Sequence, residues 1–143
     1  MSKQLYDLLN QEVANFTVMY TKLHNFHWFI KGAHFYQLHE KFEEMYDEIT
    51  DYLDQTAERL LMLEQRPIAT LKECLEKTTI KEAENVFSEK DMIMTLVNDY
   101  SQINQEIIEG INLSSDDDVT NDLFVQIKTS FDKHIWMLKA LLK

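Results

Sequence analysis

Glycine and proline are rare in this chain. Its 143 residues include two glycines and one proline, and these residue types usually mark the ends of strands, hairpins and tight turns. Leucine, glutamate, lysine, glutamine and methionine, which favour helices, are plentiful instead. The sequence therefore predicts an all-α fold without a sheet.

Apolar residues recur every three or four positions in four long segments, a spacing typical of amphipathic helices. The first helix is predicted to end around Lys31-Gly32 and the second to begin near Phe35. The second should stop at Arg66-Pro67, because proline cannot continue the helical hydrogen bonds. Residues 88–91 have the pattern of a capping box that opens the third helix. The acidic turn at 114–118 should cap the fourth.

The connections between these helices differ in length. Two are short turns, whereas the connection at 64–87 is long and contains a stretch, 70–77, predicted to form two helical turns. In that stretch Leu71, Cys74 and Leu75 are expected to face inward. One long crossover between two short turns favours a ferritin-like four-helix bundle, with a short extra helix in the crossover, over a simple up-and-down bundle.

Length and composition indicate one globular domain spanning 1–143, with 45% hydrophobic residues and a net charge of −11. The N-terminus becomes amphipathic at once without a signal-peptide pattern, and no apolar run is long enough for a membrane span. The protein is therefore expected in the cytoplasm, without a membrane partner. The lone Cys74 cannot form an internal disulfide.

The first two predicted helices contain five potential metal ligands: His27, His39, Glu43, Asp54 and Glu58. His39 and Glu43 are one helical turn apart, and so are Asp54 and Glu58, so each pair can face one point. Fifteen residues separate His39 from Asp54, which is roughly 22 Å along a helix. Ligand atoms lie only about 2.0 to 2.2 Å from a bound metal. One copy of the helix therefore cannot complete the site.

A second subunit can supply the missing half. Suppose that the second helices of two subunits ran antiparallel beside each other around a two-fold axis. Asp54 and Glu58 of each subunit would then meet His27, His39 and Glu43 of the other, giving two sites per dimer. Mixed imidazole and carboxylate ligands suit Fe(II), with Zn as a competitor for the same set. The alternative is that the acids are ordinary solvated surface and His27 a hydrogen-bonded core residue.

Several motifs closely resemble the Dps miniferritin family along nearly the whole chain. They are KLHNFHWFIKG at 22–32, FYQLHEKFEEMY at 35–46, DQTAERL at 54–60, RPIATLKE at 66–73, NDY at 98–100, DLF at 122–124 and HIWML at 134–138.

The resemblance implies a hollow homo-oligomer, a dodecamer, that acts as a ferroxidase in oxidative stress. Such a protein oxidises Fe(II) with hydrogen peroxide or oxygen and stores the ferric mineral inside, which protects DNA. The matching positions make His27, His39, Asp54 and Glu58 catalytic, with the histidines from one subunit and the acids from its two-fold mate. Glu43 is a further metal ligand, at a position where many relatives have aspartate.

Three acidic residues, Asp117, Asp118 and Asp122, match the region that lines three-fold pores in the family. A negative potential there would attract Fe(II). The alternative for Asp117 or Asp118 is helix capping, and the two roles are compatible.

Direct DNA binding is expected to be weak or absent. Family members that bind DNA often use a lysine-rich tail, and here only Ser2-Lys3-Gln4 precedes the first helix, in a chain whose net charge repels phosphate. The competing hypothesis is a nucleoid-associated protein that compacts DNA and uses its metal site only to hold the oligomer together.

Overall fold

The structure is a computed structural model, and it describes residues 2–84 and 88–143. Within these ranges the chain forms five helices and no strand, which confirms the all-α prediction. The last three residues of the predicted long connection, 85–87, lie outside the described residues. The helices are α1 (Lys3–Phe29), α2 (Phe35–Met62), α3 (Leu71–Lys77), α4 (Glu89–Leu113) and α5 (Asp118–Ala140).

Four of these helices form the bundle, and α3 lies in the crossover. Helix α1 packs along α2, and α4 packs along α5, while smaller contacts join α1 to α4 and α2 to α5. Helix α3 packs on the outside of α1. The arrangement confirms the ferritin-like bundle with a short helix between its second and third long members.

Large aromatic side chains occupy the centre of the bundle. Phe16, Tyr100 and Phe131 are fully buried, and they come from α1, α4 and α5. Phe131 meets Phe16 edge-on with ring centroids 6.1 Å apart, and it meets Tyr100 at 4.5 Å. Burying each such side chain contributes about 1.5 to 3 kcal/mol. The core therefore fixes how the helices face one another.

Helix α2 ends earlier than the sequence predicted. Its last residue is Met62, before Arg66-Pro67, and Glu64 adopts a left-handed backbone with φ of 61°. The amide of Gln65 donates to the carbonyl of Leu60 at 2.8 Å, which closes a Schellman-type turn. The prediction that proline stops α2 was wrong, because this turn satisfies the last carbonyls before proline is reached.

The inward face predicted for α3 is only partly correct. Cys74 is buried, whereas Leu71 is 73% exposed and Leu75 is 50% exposed. A helix of two turns lying on α1 buries a narrow side, and Cys74 occupies that side. The two leucines consequently remain on the surface of the single chain.

Candidate metal centre

The short turn between α1 and α2 brings two of the predicted ligands together. His27 and His39 each lie six residues from Ala33, on opposite sides of the turn. Their rings stack with centroids 3.7 Å apart and an interplanar angle of 13°. His27 is buried and His39 is half-buried. Antiparallel packing of α1 on α2 thus turns a spacing of twelve residues into direct contact.

Main-chain carbonyls fix the protons of both imidazoles. The Nδ1 atom of His27 lies 2.6 Å from the carbonyl oxygen of His39, and the Nδ1 atom of His39 lies 2.7 Å from that of His27. A carbonyl oxygen only accepts, so each Nδ1 must donate. In a neutral imidazole the Nε2 atom then keeps its lone pair, as in histidines that bind metals. The pair therefore fits a metal ion.

Glu43 lies beside this pair. Its Oε1 atom is 3.8 Å from Nε2 of His27, and its side chain is 54% exposed. This separation is too long for a hydrogen bond, but two ligands of one metal ion typically lie about 3 to 4 Å apart. The hydroxyl of Tyr46 donates to the same Oε1 atom at 3.5 Å. Glu43 is therefore placed where one ion could contact both it and His27.

Asp54 and Glu58 lie elsewhere on the chain. Both are exposed residues further along α2, and the helical rise places Asp54 roughly 22 Å beyond His39. Glu58 lines a surface groove together with Arg59 of α2 and Asp122 of α5. Across residues 2–84 and 88–143, no three His, Cys, Asp or Glu side chains form a group that could hold a metal ion. One chain thus presents two separate sets of predicted ligands.

An aromatic cluster adjoins the histidine pair, and the sequence analysis missed it. The ring of His24 stacks on Tyr46 with centroids 3.7 Å apart, and Tyr46 meets the ring of His27 edge-on at 5.4 Å. Tyr20 and Trp28 extend the cluster along α1 on either side of His24. The four-residue spacing of Tyr20, His24 and Trp28 was the available signal, but it could not show that Tyr46 of α2 joins them.

The start of α4 holds the turn that carries the histidines. Glu89 accepts hydrogen bonds from the main-chain amide of His34 at 2.7 Å and from its Nδ1 atom at 3.0 Å. Gly32 has φ of 132°, and a Cβ atom there would lie 2.4 Å from Oε1 of Glu89. Glycine is therefore favoured at this position for its backbone conformation, and any larger residue would also displace the Glu89 carboxylate from its hydrogen bonds with His34.

The acidic residues at the start of α5 have different surroundings. Asp117 caps the helix by accepting from the amide of Thr120, and it forms an ion pair with Arg59 at 3.1 Å. Hydrogen bonds from Thr120 and Arg59 hold the pKa of Asp117 below its usual value. Asp118 and Asp122 are exposed. The capping role predicted for Asp117 is confirmed.

A second polar cluster lies between α2 and α5. Glu48 accepts from Ser130 at 2.7 Å and lies 3.1 Å from Nε2 of His134, which is buried. Burial raises the pKa of Glu48, but the hydrogen bonds from His134 and Ser130 outweigh it and leave the pKa below its ordinary value. No local sequence pattern predicts this pair, because its members are 86 residues apart.

None of the helices in the described part of the chain is long and apolar enough to cross a membrane.

Comparison with known proteins identifies the family of this fold. Residues 6–143 match the ferritin-like domain family. The chain is 44% identical over 144 residues to DNA protection during starvation protein 2 of Bacillus anthracis, covering 99% of both sequences.

Solved structures show the same fold. The crystal structure of Dps from Staphylococcus aureus superposes with a TM-score of 0.96 at 45% identity, over 99% of this chain and 97% of that one. A Dps protein of Vibrio cholerae, described as a member of a superfamily of ferritin-like diiron-carboxylate proteins, has a TM-score of 0.94 at 31% identity, over 99% and 90%. This chain therefore belongs to the Dps family of miniferritins.

Proposed function

We propose that the protein is a ferroxidase and iron store. Its substrate is Fe(II), which is oxidised with hydrogen peroxide or oxygen at sites between two subunits, and the ferric product is held inside a hollow homo-oligomer, the dodecamer expected for this family. The observation that carries the proposal is the stacked pair His27 and His39, whose Nε2 atoms are left free to bind a metal. Zn(II) is a competitor for the same atoms.

The proposed site is shared because one chain holds only half of it. His27, His39 and Glu43 form one half at the end of α1 and the start of α2. Asp54 and Glu58 form the other half, and both are exposed and available to a neighbour. A two-fold axis that placed two α2 helices antiparallel would bring each half to its complement and create two equivalent sites.

The proposed chemistry explains how iron oxidation would protect DNA. Two Fe(II) ions deliver two electrons to one hydrogen peroxide molecule, its O–O bond breaks, and two protons convert both oxygens to water. A single Fe(II) delivers only one electron, which splits hydrogen peroxide into a hydroxide ion and a hydroxyl radical. The imidazoles and carboxylates would hold the iron where paired oxidation is possible. Protection would then need no contact with DNA, which accords with the net charge of −11.

The test is iron oxidation by the Asp54→Ala/Glu58→Ala variant. Fe(II) is added without oxygen, peroxide follows, and ferric absorbance is recorded. We expect the rate to fall about tenfold to a hundredfold, because the remaining ligands cannot complete the site.

The matched control is the Glu76→Ala/Glu109→Ala variant, which removes two exposed acids of α3 and α4 that belong to neither half of the proposed site. It should oxidise iron at the wild-type rate. An unchanged rate in the Asp54/Glu58 variant would refute the proposed site.

A further inference from the structure

A buried polar cluster joins α1, α4 and the crossover, and iron chemistry does not use it. Glu12 and Asn15 of α1 are 0% exposed, and Glu106 of α4 is 8% exposed. The side-chain amide of Asn15 donates to Oε1 of Glu12 at 3.1 Å and to Oε1 of Glu106 at 2.8 Å. One amide group therefore bridges two carboxyl groups that lie 94 residues apart in sequence.

The same cluster holds the crossover where it leaves α3. The Oδ1 atom of Asn15 accepts from the hydroxyl of Thr78 at 2.7 Å and from the amide of Thr79 at 2.9 Å. The hydroxyl of Thr79 donates to Oε2 of Glu106 at 2.7 Å, and the side-chain amide of Gln102 donates to the same atom at 2.8 Å. Residues 78–79 are thus attached to two helices of the bundle at once.

The two carboxyl groups are buried close together, so the protonation state of each must be accounted for. Oε2 of Glu12 is buried and receives no hydrogen bond. An ionised carboxylate in that position would be costly, because burial without a partner disfavours charge. As a neutral acid, the Glu12 carboxyl group can donate a hydrogen bond, and the neighbouring carboxylate of Glu106 can accept it. A proton on Glu12 therefore removes the buried charge and allows the carboxyl group to form a hydrogen bond.

Electrostatics supports this assignment. Burial, and then the neighbouring Glu106, raise the pKa of Glu12 well above its ordinary value of 4.5. Burial also raises the pKa of Glu106, but hydrogen bonds from Glu12, Thr79 and Gln102 outweigh it and lower the pKa. One group of the pair thus keeps a proton while the other is ionised.

The described groups around the pair are uncharged. The groups facing the pair are Gln11 and Asn15 from α1, Thr79 from the crossover and Gln102 from α4. Within the described ranges, no lysine, arginine or histidine makes an ion pair or hydrogen bond with either carboxyl group. The two lysines of α1, Lys3 and Lys22, are nine and ten residues from Glu12, which is about 13 to 15 Å along the helix.

We infer that Glu12 and Glu106 share one proton and that this proton makes their cluster a pH-sensitive latch, which holds the crossover to the bundle and loosens as the pH rises.

The direction follows from where the proton is bound. When residues 78–79 detach and water enters, Glu12 ionises near its ordinary value of 4.5. In the closed cluster it ionises only at higher pH. Between these two values opening releases a proton, so each further pH unit favours the open form by about tenfold. Above the upper value the dependence stops, because Glu12 is then ionised in both forms.

Hydrogen exchange of the assembled wild-type protein tests the latch. The main-chain amide of Thr79 donates to Asn15 and so reports on opening. Exchange of a peptide covering residues 75–84 is measured at several pH values above about 5.5, and each rate is divided by that of the Glu12→Gln variant. Glutamine resembles the neutral acid and cannot ionise, so the division removes the pH dependence of exchange itself. We expect the ratio to rise about tenfold per pH unit and then to level off.

Two controls keep the result interpretable. Glu109→Gln, an exposed change on α4, should retain the wild-type dependence. If Glu12→Gln does not fold, the wild-type exchange rates are divided by the intrinsic rates of the same peptide instead. Infrared spectroscopy of wild type at neutral pH should then also show a protonated carboxyl group that disappears as the pH is raised. A ratio that stays constant with pH, or the absence of such a carboxyl signal, would overturn the inference.

Discussion

Two carbonyl oxygens determine what His27 and His39 can do. Each accepts a hydrogen bond from Nδ1 of the opposite histidine, so the free nitrogen of each ring is Nε2. Without that hydrogen bond, a histidine in the same place could present either ring nitrogen to a metal ion. The arrangement shows how a single backbone contact sets the chemistry of a side chain.

Asp117 is another residue whose role depends on its immediate partners, and this role can be tested. Replacing it by asparagine keeps an oxygen that can cap α5 but removes the charge that pairs with Arg59 at 3.1 Å. We expect the Asp117→Asn change to lower the free energy of unfolding by about 1 to 2 kcal/mol near neutral pH. Urea unfolding of both proteins measures this difference.

The difference should shrink in acid. The lowered pKa of Asp117 means that its stabilising effect is complete above the ordinary value of 3.8 and is lost as the pH falls through the folded-state pKa. The control is Asp116→Asn, an exposed neighbour outside the helix, which should change stability little. Equal losses for Asp117→Asn at neutral and acid pH would contradict the role of the charge.

Helix α2 shows that the end of a helix can be set by a turn rather than by the nearest proline. The left-handed residue of that turn is Glu64, with φ of 61°, where glycine is the usual choice. The amide of Glu64 still donates to the carbonyl of Leu61 at 2.9 Å, so the turn forms despite the unfavourable residue. Some stability is lost at this position.

Glycine at position 64 should recover that stability. We expect Glu64→Gly to raise the free energy of unfolding by about 1 kcal/mol, because glycine adopts positive φ without steric cost. Thermal unfolding provides the measurement. Glu64→Ala is the matched control: it also removes a negative charge from the C-terminal end of α2 but keeps the Cβ atom. If alanine stabilised the protein as much as glycine, charge rather than backbone strain would be the cause.

The assembly is where the proposed metal centre would be completed, since each chain would supply ligands to two different sites. This leads to a complementation experiment. One variant, His39→Ala, lacks part of the imidazole half, and another, Asp54→Ala/Glu58→Ala, lacks the acidic half. Each variant alone should oxidise iron poorly.

Subunits of the two variants, unfolded and reassembled together, should regain activity. Random pairing makes about half of the dimers mixed, and each mixed dimer contains one intact site, so about a quarter of the wild-type rate is expected. Ferric absorbance after peroxide addition measures it, with the two variants reassembled separately as the baseline. If mixing restored nothing, the two halves would not meet across a subunit boundary.

Much of the fold could be predicted from local patterns. The three-to-four spacing of apolar residues predicted the four long helices, and the serine at 88 and the acids near 117 predicted two of their caps correctly. The meeting of His27 with His39 was also predictable, because both lie six residues from the centre of one short turn. Patterns of this kind depend on neighbours along the chain and on helix geometry, so a linear sequence contains them.

Other features needed the packed bundle. The latch of Glu12 and Glu106 and the pair of Glu48 and His134 join residues on different helices, and no spacing along the chain identifies them. The exposure of Leu71 likewise depends on what covers α3. The rotation of each helix about its axis decides which polar side chains are buried together, and close packing against several neighbours sets that rotation. The periodicity of the sequence thus determined where the helices lie along the chain and which of their faces are apolar. Contacts between helices determined which polar side chains are buried together, and these contacts explain the proposed protonation of Glu12.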